Sequence, residues 1–255
     1  MDSLFDFPKP KIDKKIRLIE LFAGVGAQAM ALRNIGADFE HWRAVEFDAH
    51  AMNSYNAIHG TSFVPTDIIS ISGTDLGITE RGKYCYVMFY SFPCTDLSVA
   101  GKQLGMKEGS GTSSSLLWEV KRLIDELGDD LPQVLMMENV TQVHGEQNKE
   151  HFERWLSYLR SKGYANFWQD LNAEDYGVPQ HRERCFCVSL LESEFGKFCE
   201  YEFPRSIPLE KKMSDVLEEK VDECFYLNSG KVDKLISELE ERNELVPLPT
   251  IQNNG

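Results

Sequence analysis

Two uninterrupted apolar runs constrain this chain most: "YCYVMFY" at residues 84–90 and "QVLMMEN" at residues 133–139. Neither alternates polar with apolar residues, so neither can have one face in water. Strands buried on both faces belong to the interior of a parallel sheet covered by helices. The rest of the sequence supplies the helices. "KIRLIELF" (15–22) reads as a strand broken by Gly24 and Gly26, and "AQAMALRNIG" (27–36) as a helix. "HWRAVEFD" (41–48) is a second strand, and "AHAMNSYNAIHG" (49–60) a helix stopped by its glycine. "SFVPTDI" (62–68) is expected as a short strand and "SSSLLWEVKRLIDELG" (113–128) as a serine-capped helix. In "KEHFERWLSYLRSKG", Phe152, Trp155, Leu156 and Leu159 fall at helical spacing. "YANFWQDLNA" and "RCFCVSL" are the last two strands.

Strands alternating with helices in this way predict an α/β fold, a mostly parallel sheet with helices on both faces. Residues 1–14 read as an N-terminal extension and 15–191 as the folded domain. From residue 192 the composition changes. This tail is rich in Glu and offers amphipathic helical stretches at 209–219 and 231–242.

The totals exclude several classes. A net charge of −14 over 255 residues rules out a chain that coats nucleic acid along its length, because phosphate contacts need cations. A local patch of Lys and Arg remains compatible with it. Six cysteines occur with no CxxC pair. Cys185 and Cys187 are two apart, on one face of a strand rather than in a zinc knuckle, so reduced thiols in a cytoplasmic protein are expected. No apolar run is long enough to span a bilayer, and the start lacks the layout of a secretory signal.

In doubly wound sheets, ligands bind beyond the carboxyl ends of the strands. Four loops fall there. In "ELFAGVGA" (20–27), Gly24 and Gly26 let backbone approach a ligand, although a plain strand-to-helix turn explains them equally well. The third glycine of GxGxxG is missing, which disfavours a nicotinamide site. Glu46 ends the second strand, where an acid pairs with ribose hydroxyls or stays solvated. Phe47 beside it can stack on an adenine or join the core. Asp67 follows on the same edge. Together these suit an adenosine-containing ligand without phosphates, since no Lys-bearing phosphate loop accompanies them. The third loop is Pro93-Cys94. A thiol is a nucleophile only as thiolate, which needs exposure, and a loop supplies it. The fourth is "MMENV" (136–140), where Glu138 and Asn139 end an apolar strand. A poorly solvated carboxyl at such a mouth either holds a proton near neutrality or pairs with an arginine. "QHRER" (180–184) offers Arg182 and Arg184 on one strand face.

In this order the segments resemble the DNA (cytosine-5) methyltransferases. "ELFAGVGA" is similar to their cofactor motif, "SFPCTDLSVAG" to their Pro-Cys loop, "ENV" to their ENV and "QHRER" to their Gln-x-Arg-x-Arg motif. "LNAEDYGVPQ" is similar to the segment before it, so the likeness covers residues 16–190. Ala27, Ser91 and Thr95 depart from the commoner Gly, Gly and Gln.

The resemblance implies a Rossmann-like, S-adenosylmethionine-dependent methyltransferase acting on double-stranded DNA, with no metal. Cys94 would add to C6 of a flipped cytosine, with Glu138 beside N3 and Asn139 holding neighbouring backbone. Arg184 would donate to O2, and Arg182 would be structural or phosphate-facing. The cofactor would lie across Phe22, Ala23, Gly24 and Gly26, with its ribose on Glu46 and its adenine against Phe47, Asp67 and Ile68. Pro93 and Leu116 would complete its wall, and residues 99–115 would form a lid or hinge. After Arg205 nothing resembles the family's target-recognition region or last motifs. The tail is therefore expected to be the start of that region, completed by a separate polypeptide or missing. The resemblance leaves open a truncated chain that only binds cofactor or a partner, and a relative acting on tRNA. A bacterial or phage source is expected.

Overall fold

The protein is described from a computed structural model, over residues 9–97 and 105–243. It divides into two compact units, Met1–Glu210 and Lys211–Gly255. The first unit holds a six-stranded sheet in the order β2-β1-β3-β4-β6-β5. Its strands are β1 (Lys15–Leu21), β2 (Phe39–Val45), β3 (Tyr84–Tyr90), β4 (Val134–Asn139), β5 (Tyr164–Asn172) and β6 (Glu183–Leu191). Pairing is parallel from β2 through β1 and β3 to β4. Only β6 runs the other way, antiparallel to both β4 and β5, so the sheet is mostly parallel.

The two apolar runs are the adjacent strands β3 and β4, and successive residues serve opposite cores. Tyr86, Met88, Tyr90, Leu135 and Met137 point into a core closed by α3 (Leu117–Leu127) and α4 (Lys149–Ser161), with Trp118, Leu123, Trp155 and Leu159 among its members. Cys85, Val87 and Val134 point into the other. That face is covered by Leu32 of α1 (Ala27–Asn34) and by Phe195, Tyr201 and Phe203, which follow β6. Phe195 ends the short α5 (Glu192–Phe195). Helical segments therefore lie on both faces, as the uninterrupted apolar runs require.

Three local expectations are corrected. Residues 62–68 form no strand. Pro65 offers no N–H, and the segment is instead tied to α2 (Ala49–His59): Asn56 Oδ1 accepts from Phe63 N and Asn56 Nδ2 donates to Phe63 O. A 3-10 turn at Ile68–Ser70 follows, capped by Asp67. The helix at 113–128 is not serine-capped: a 3-10 turn, Ser113–Leu116, precedes α3, and neither Thr112 nor Leu116 caps through its side chain. In the second unit, the expected helix at 209–219 is only the 3-10 turn Met213–Val216. Val216 and Leu217 remain exposed there, and a short helix without a buried face is marginal in water. The other stretch is helical, as α6 (Ser229–Glu241). Residues 99–104 of the expected lid lie outside the described residues.

One buried polar network holds the turn after β1. Glu20 is 1% exposed. Its carboxylate accepts from the Tyr55 hydroxyl at 2.6 Å and from Ala29 N at 3.3 Å, which ties β1 to α2 and to the first turn of α1. Tyr55, having donated its proton, accepts from His41 Nδ1 at 2.8 Å. His59 Nε2 lies 3.0 Å from the Val25 carbonyl and donates to it. Gly26 (φ +79°) passes so close to Tyr55 and His59 that a β-carbon there would collide with both rings.

Burial raises the Glu20 carboxyl from 4.5 to about 7, against the opposing pull of the Tyr55 hydroxyl and Ala29 N–H. The folded state thus binds this proton more tightly than the unfolded chain. The resulting stability is complete below the unfolded value and is lost as pH rises through about 7. Glu20→Gln removes this dependence. The fall in unfolding free energy between about pH 5 and pH 8 is expected to shrink by about 2 to 3 kcal/mol relative to the parent, measured by urea melts at both pH values. An equal fall in both proteins would mean that Glu20 is ionised in the folded state.

Candidate active site

The carboxyl ends of β1, β2 and β3 open on a cleft lined by Phe22, Val45, Glu46, Phe47, Thr66, Asp67, Ile68, Ser91, Pro93 and Leu116. Seven of the residues singled out in the sequence are among these. Val45 and Thr66 carry no sequence signal of a site, and Ser91 is noted only as a departure from the family's Gly. Ala23, Gly24 and Gly26 are not in the lining. They hydrogen-bond to its lining residues or to one another. Ala23 N donates to Val45 O, and Gly26 N to Ala23 O. Gly24 N donates to Glu46 Oε2 at 3.0 Å. Phe22 adopts φ +59°, a left-handed conformation that is costly for a residue with a side chain. With Gly24 (φ +54°) and Gly26 it winds the chain tightly at the mouth of the cleft.

Glu46 is fixed from two sides, since its Oε1 accepts from Asp48 N at 2.9 Å. Each carboxylate oxygen has a second lone pair, so the group can still accept two hydroxyl donors. Phe47 is 73% exposed, so it is not a core residue and its ring is free to cover a flat ligand. Asp67 accepts from Ile69 N. Among the described residues, no lysine or arginine lines the cleft. This donor and acceptor set fits a neutral nucleoside moiety better than a phosphate.

The Cys94 loop adjoins this cleft through Pro93. Cys94 is partly buried against the sheet core. Burial pushes Cys85 and Cys187 up to about 12 and raises Cys185 and Cys199. Cys224 is exposed, but its thiol is raised by its hydrogen bond to Asp222.

The parallel register sets Tyr90 beside Met137, so Glu138 and Asn139 emerge level with the start of the Cys94 loop. Asn139 is 3% exposed, and its Nδ2 donates to Phe92 O at 2.9 Å, fastening the end of β4 to that loop. Glu138 is half-buried and faces two guanidinium groups. Arg184 Nε lies 3.2 Å from its Oε1 and an Arg182 terminal nitrogen 3.8 Å. Glu138 thus lies within reach of both arginines. Arg182 and Arg184, with Thr141, Gln142, Gln180 and His181, also line a shallow polar pocket beside it. His144, Asp170 and Cys185 place ligand-type atoms within 4.8 Å of one another. His144 is already hydrogen-bonded to Asp170, and the Cys185 thiol is fully buried, so the trio reads as packing at the start of β6.

Comparisons with known proteins agree with this geometry. The family model for "C-5 cytosine-specific DNA methylase" matches residues 16–247, running well beyond residue 190. The type II methyltransferase M2.ScrFI of Lactococcus lactis subsp. cremoris is 48% identical over 264 residues, spanning 85% of this chain and 71% of its own. The orphan methyltransferase M.SssI of Spiroplasma monobiae is 33% identical over 269 residues, spanning 85% and 68%. Among solved structures, the Dnmt2 methyltransferase of S. pombe superposes with a TM-score of 0.65 at 18% identity, over 88% of this chain and 66% of that one, which establishes the shared fold. With the matching model spanning nearly the whole described chain and a relative at 48% identity, the chain belongs to the C-5 cytosine-specific DNA methylases.

Proposed function

We propose that this chain transfers a methyl group to C5 of cytosine in double-stranded DNA, with Cys94 as nucleophile and S-adenosylmethionine held in the cleft between Phe47 and Pro93. The observation that carries the reading is the meeting, at one sheet edge, of the Cys94 loop, the Glu138–arginine cluster and a cleft suited to a nucleoside.

Cytosine C5 is a weak nucleophile. Addition of the Cys94 thiolate to C6 forms a carbon–sulfur bond and moves the ring electrons towards N3, leaving an enamine whose nucleophilic carbon is C5. Glu138, protonated when the base is in place, donates at N3 and stabilises that electron shift. Arg184 donates to O2. Arg182, more exposed, faces backbone phosphate or holds Glu138. Once C5 carries the methyl group, loss of its proton to water and expulsion of the Cys94 thiolate, with the N3 proton returned to Glu138, restore the aromatic ring and the enzyme. The cofactor, when bound, would supply an electrophilic methyl group to C5 and leave as S-adenosylhomocysteine. Glu46 takes its ribose hydroxyls, Phe47 covers the adenine, Asp67 and Ile68 border the adenine edge, and Phe22 and Leu116 close the walls. The target base must leave the duplex to reach the thiol, at a cost of a few kcal/mol.

The chain spans 71% and 68% of the two relatives above. DNA sequence selection then draws on the length those relatives have in addition, carried in the same chain or by a separate polypeptide. Free thiols suit a reducing bacterial cytoplasm. Among the described residues no helix is long and apolar enough to cross a membrane.

Cys94→Ser is expected to abolish methyl transfer with the fold intact, because a hydroxyl is a far weaker nucleophile at neutral pH. Radiolabelled methyl transfer to mixed DNA reads the loss, and DNA bearing 5-fluorocytosine traps an adduct only with Cys94 present. Turnover by the serine variant would end the assignment. Glu46→Ala is expected to weaken cofactor binding by about 1 to 3 kcal/mol, the cost of losing hydrogen bonds to a charged acceptor. Titration calorimetry with S-adenosylhomocysteine checks it, and equal affinities would place the ribose elsewhere.

A further inference from the structure

We propose that Asp96 and Ser114, bridged by Ser113, are positioning residues that clasp the backbone on both sides of Cys94 and set the thiol against the cofactor wall. The inference rests on the reading of Cys94 as nucleophile.

Ser114 is fully buried, and its hydroxyl spans the cysteine. It donates to Pro93 O at 2.8 Å, one residue before Cys94, and accepts from Asp96 N at 3.3 Å, two residues after it. The Asp96 carboxylate answers from the loop side. Its Oδ2 accepts from Ser113 Oγ at 2.6 Å and from Ser114 N at 3.3 Å. Ser113, having donated to Asp96, accepts from Thr95 Oγ1 at 2.7 Å. The clasp also holds the next segment, since Gly105 N donates to the Asp96 carbonyl and Thr112 Oγ1 donates to Gly105 O. With Asn139 on Phe92 O and Leu97 N on Cys94 O, each residue from Phe92 to Asp96 is tied by a hydrogen bond.

This exceeds what a turn needs for itself. Ser115, on the same 3-10 turn, bonds only Thr112 O, three residues back. Ser113 and Ser114 instead bond a segment far away in sequence. Removing a buried hydroxyl that both donates and accepts takes a hydrogen bond from each of two backbone groups. The turn that carries the two serines ends in Leu116, and Leu116 and Pro93 both line the cofactor cleft. The clasp thus joins the nucleophile's loop and the cleft wall into one unit, fixing the distance over which the two reactants must meet. Errors of about 1 Å in such a distance lower rates on the order of 100-fold.

The test is alkylation of the folded chain with iodoacetamide, read at each cysteine by mass spectrometry. Cys224, exposed and remote in sequence, is the internal reference. Buried Cys85 and Cys187 report unfolding. In Ser114→Ala and Asp96→Ala, the rate at Cys94 relative to Cys224 is expected to rise about 5-fold or more while Cys85 and Cys187 stay protected, as in a local opening. In methyl-transfer assays, with a recognition-region polypeptide added where turnover requires it, kcat is expected to fall about 10-fold or more with the KM for cofactor within about 2-fold. Ser115→Ala should change neither. If Ser114→Ala exposes Cys85, the part-exposed Asp96 variant decides. A Cys94 to Cys224 ratio equal to the parent's overturns the clasp, and so does a changed ratio with unchanged kcat. Turnover by Cys94→Ser would instead remove the nucleophile assignment, leaving the alkylation ratio to judge the clasp alone.

Discussion

The parallel register of three strands is the constraint on which the site depends. Leu21 of β1 stands beside Tyr90 of β3, and Tyr90 beside Met137 of β4. β1 and β3 therefore end level and β4 runs two residues further, so the loops that leave them start close together. Only a sheet with both faces covered holds such strands in place, and the alternation of Tyr86, Met88 and Tyr90 against Cys85 and Val87 shows both faces anchored. Reversal of β6 then brings Arg182 and Arg184 back to the same edge from the far side of β4, to meet Glu138. The chemistry is assembled by strand ends, and the core that sets those ends is made of residues with no part in it.

Around that edge, polar groups are used twice. Glu20 organises the turn after β1 by accepting from α1 and α2. Glu46 binds backbone N–H groups on both of its oxygens before any ligand arrives. Asn139 fastens β4 to the thiol loop. Each group is fixed in place in advance, so little reorganisation remains when substrate binds, the condition under which charged and polar groups stabilise a transition state most. The acidic chain is compatible with this. Long-range attraction to a polyanion is weak at a net charge of −14, and at this edge two arginines stand beside Glu138.

Much of this was legible in the sequence because it is local. A glycine turn, an acid at a strand end, a cysteine behind a proline and an arginine pair on one strand face are all short-range patterns, and their order along the chain carried the family. What failed also has local causes. "SFVPTDI" has strand composition, but Pro65 cannot donate and Asn56 takes the backbone groups that a ladder would need. The serines at 113–115 look like a helix cap, yet two of them bond to Pro93 and Asp96 instead. Phe47 could have been core or ligand platform, and its exposure removes the core reading.

By itself the sequence determined which strands are buried, the order of the loops and the residue types at their tips, because burial and periodicity are written in neighbouring residues. Tertiary structure alone decided the register that sets the strand ends close together, the meeting of Glu138 with two arginines more than forty positions away, and the buried network of Glu20, Tyr55 and His41. It also decided the bracket that Ser113 and Ser114 place around Cys94. Each of these joins side chains far apart in sequence, and no pattern within one segment encodes a partner that only folding brings near.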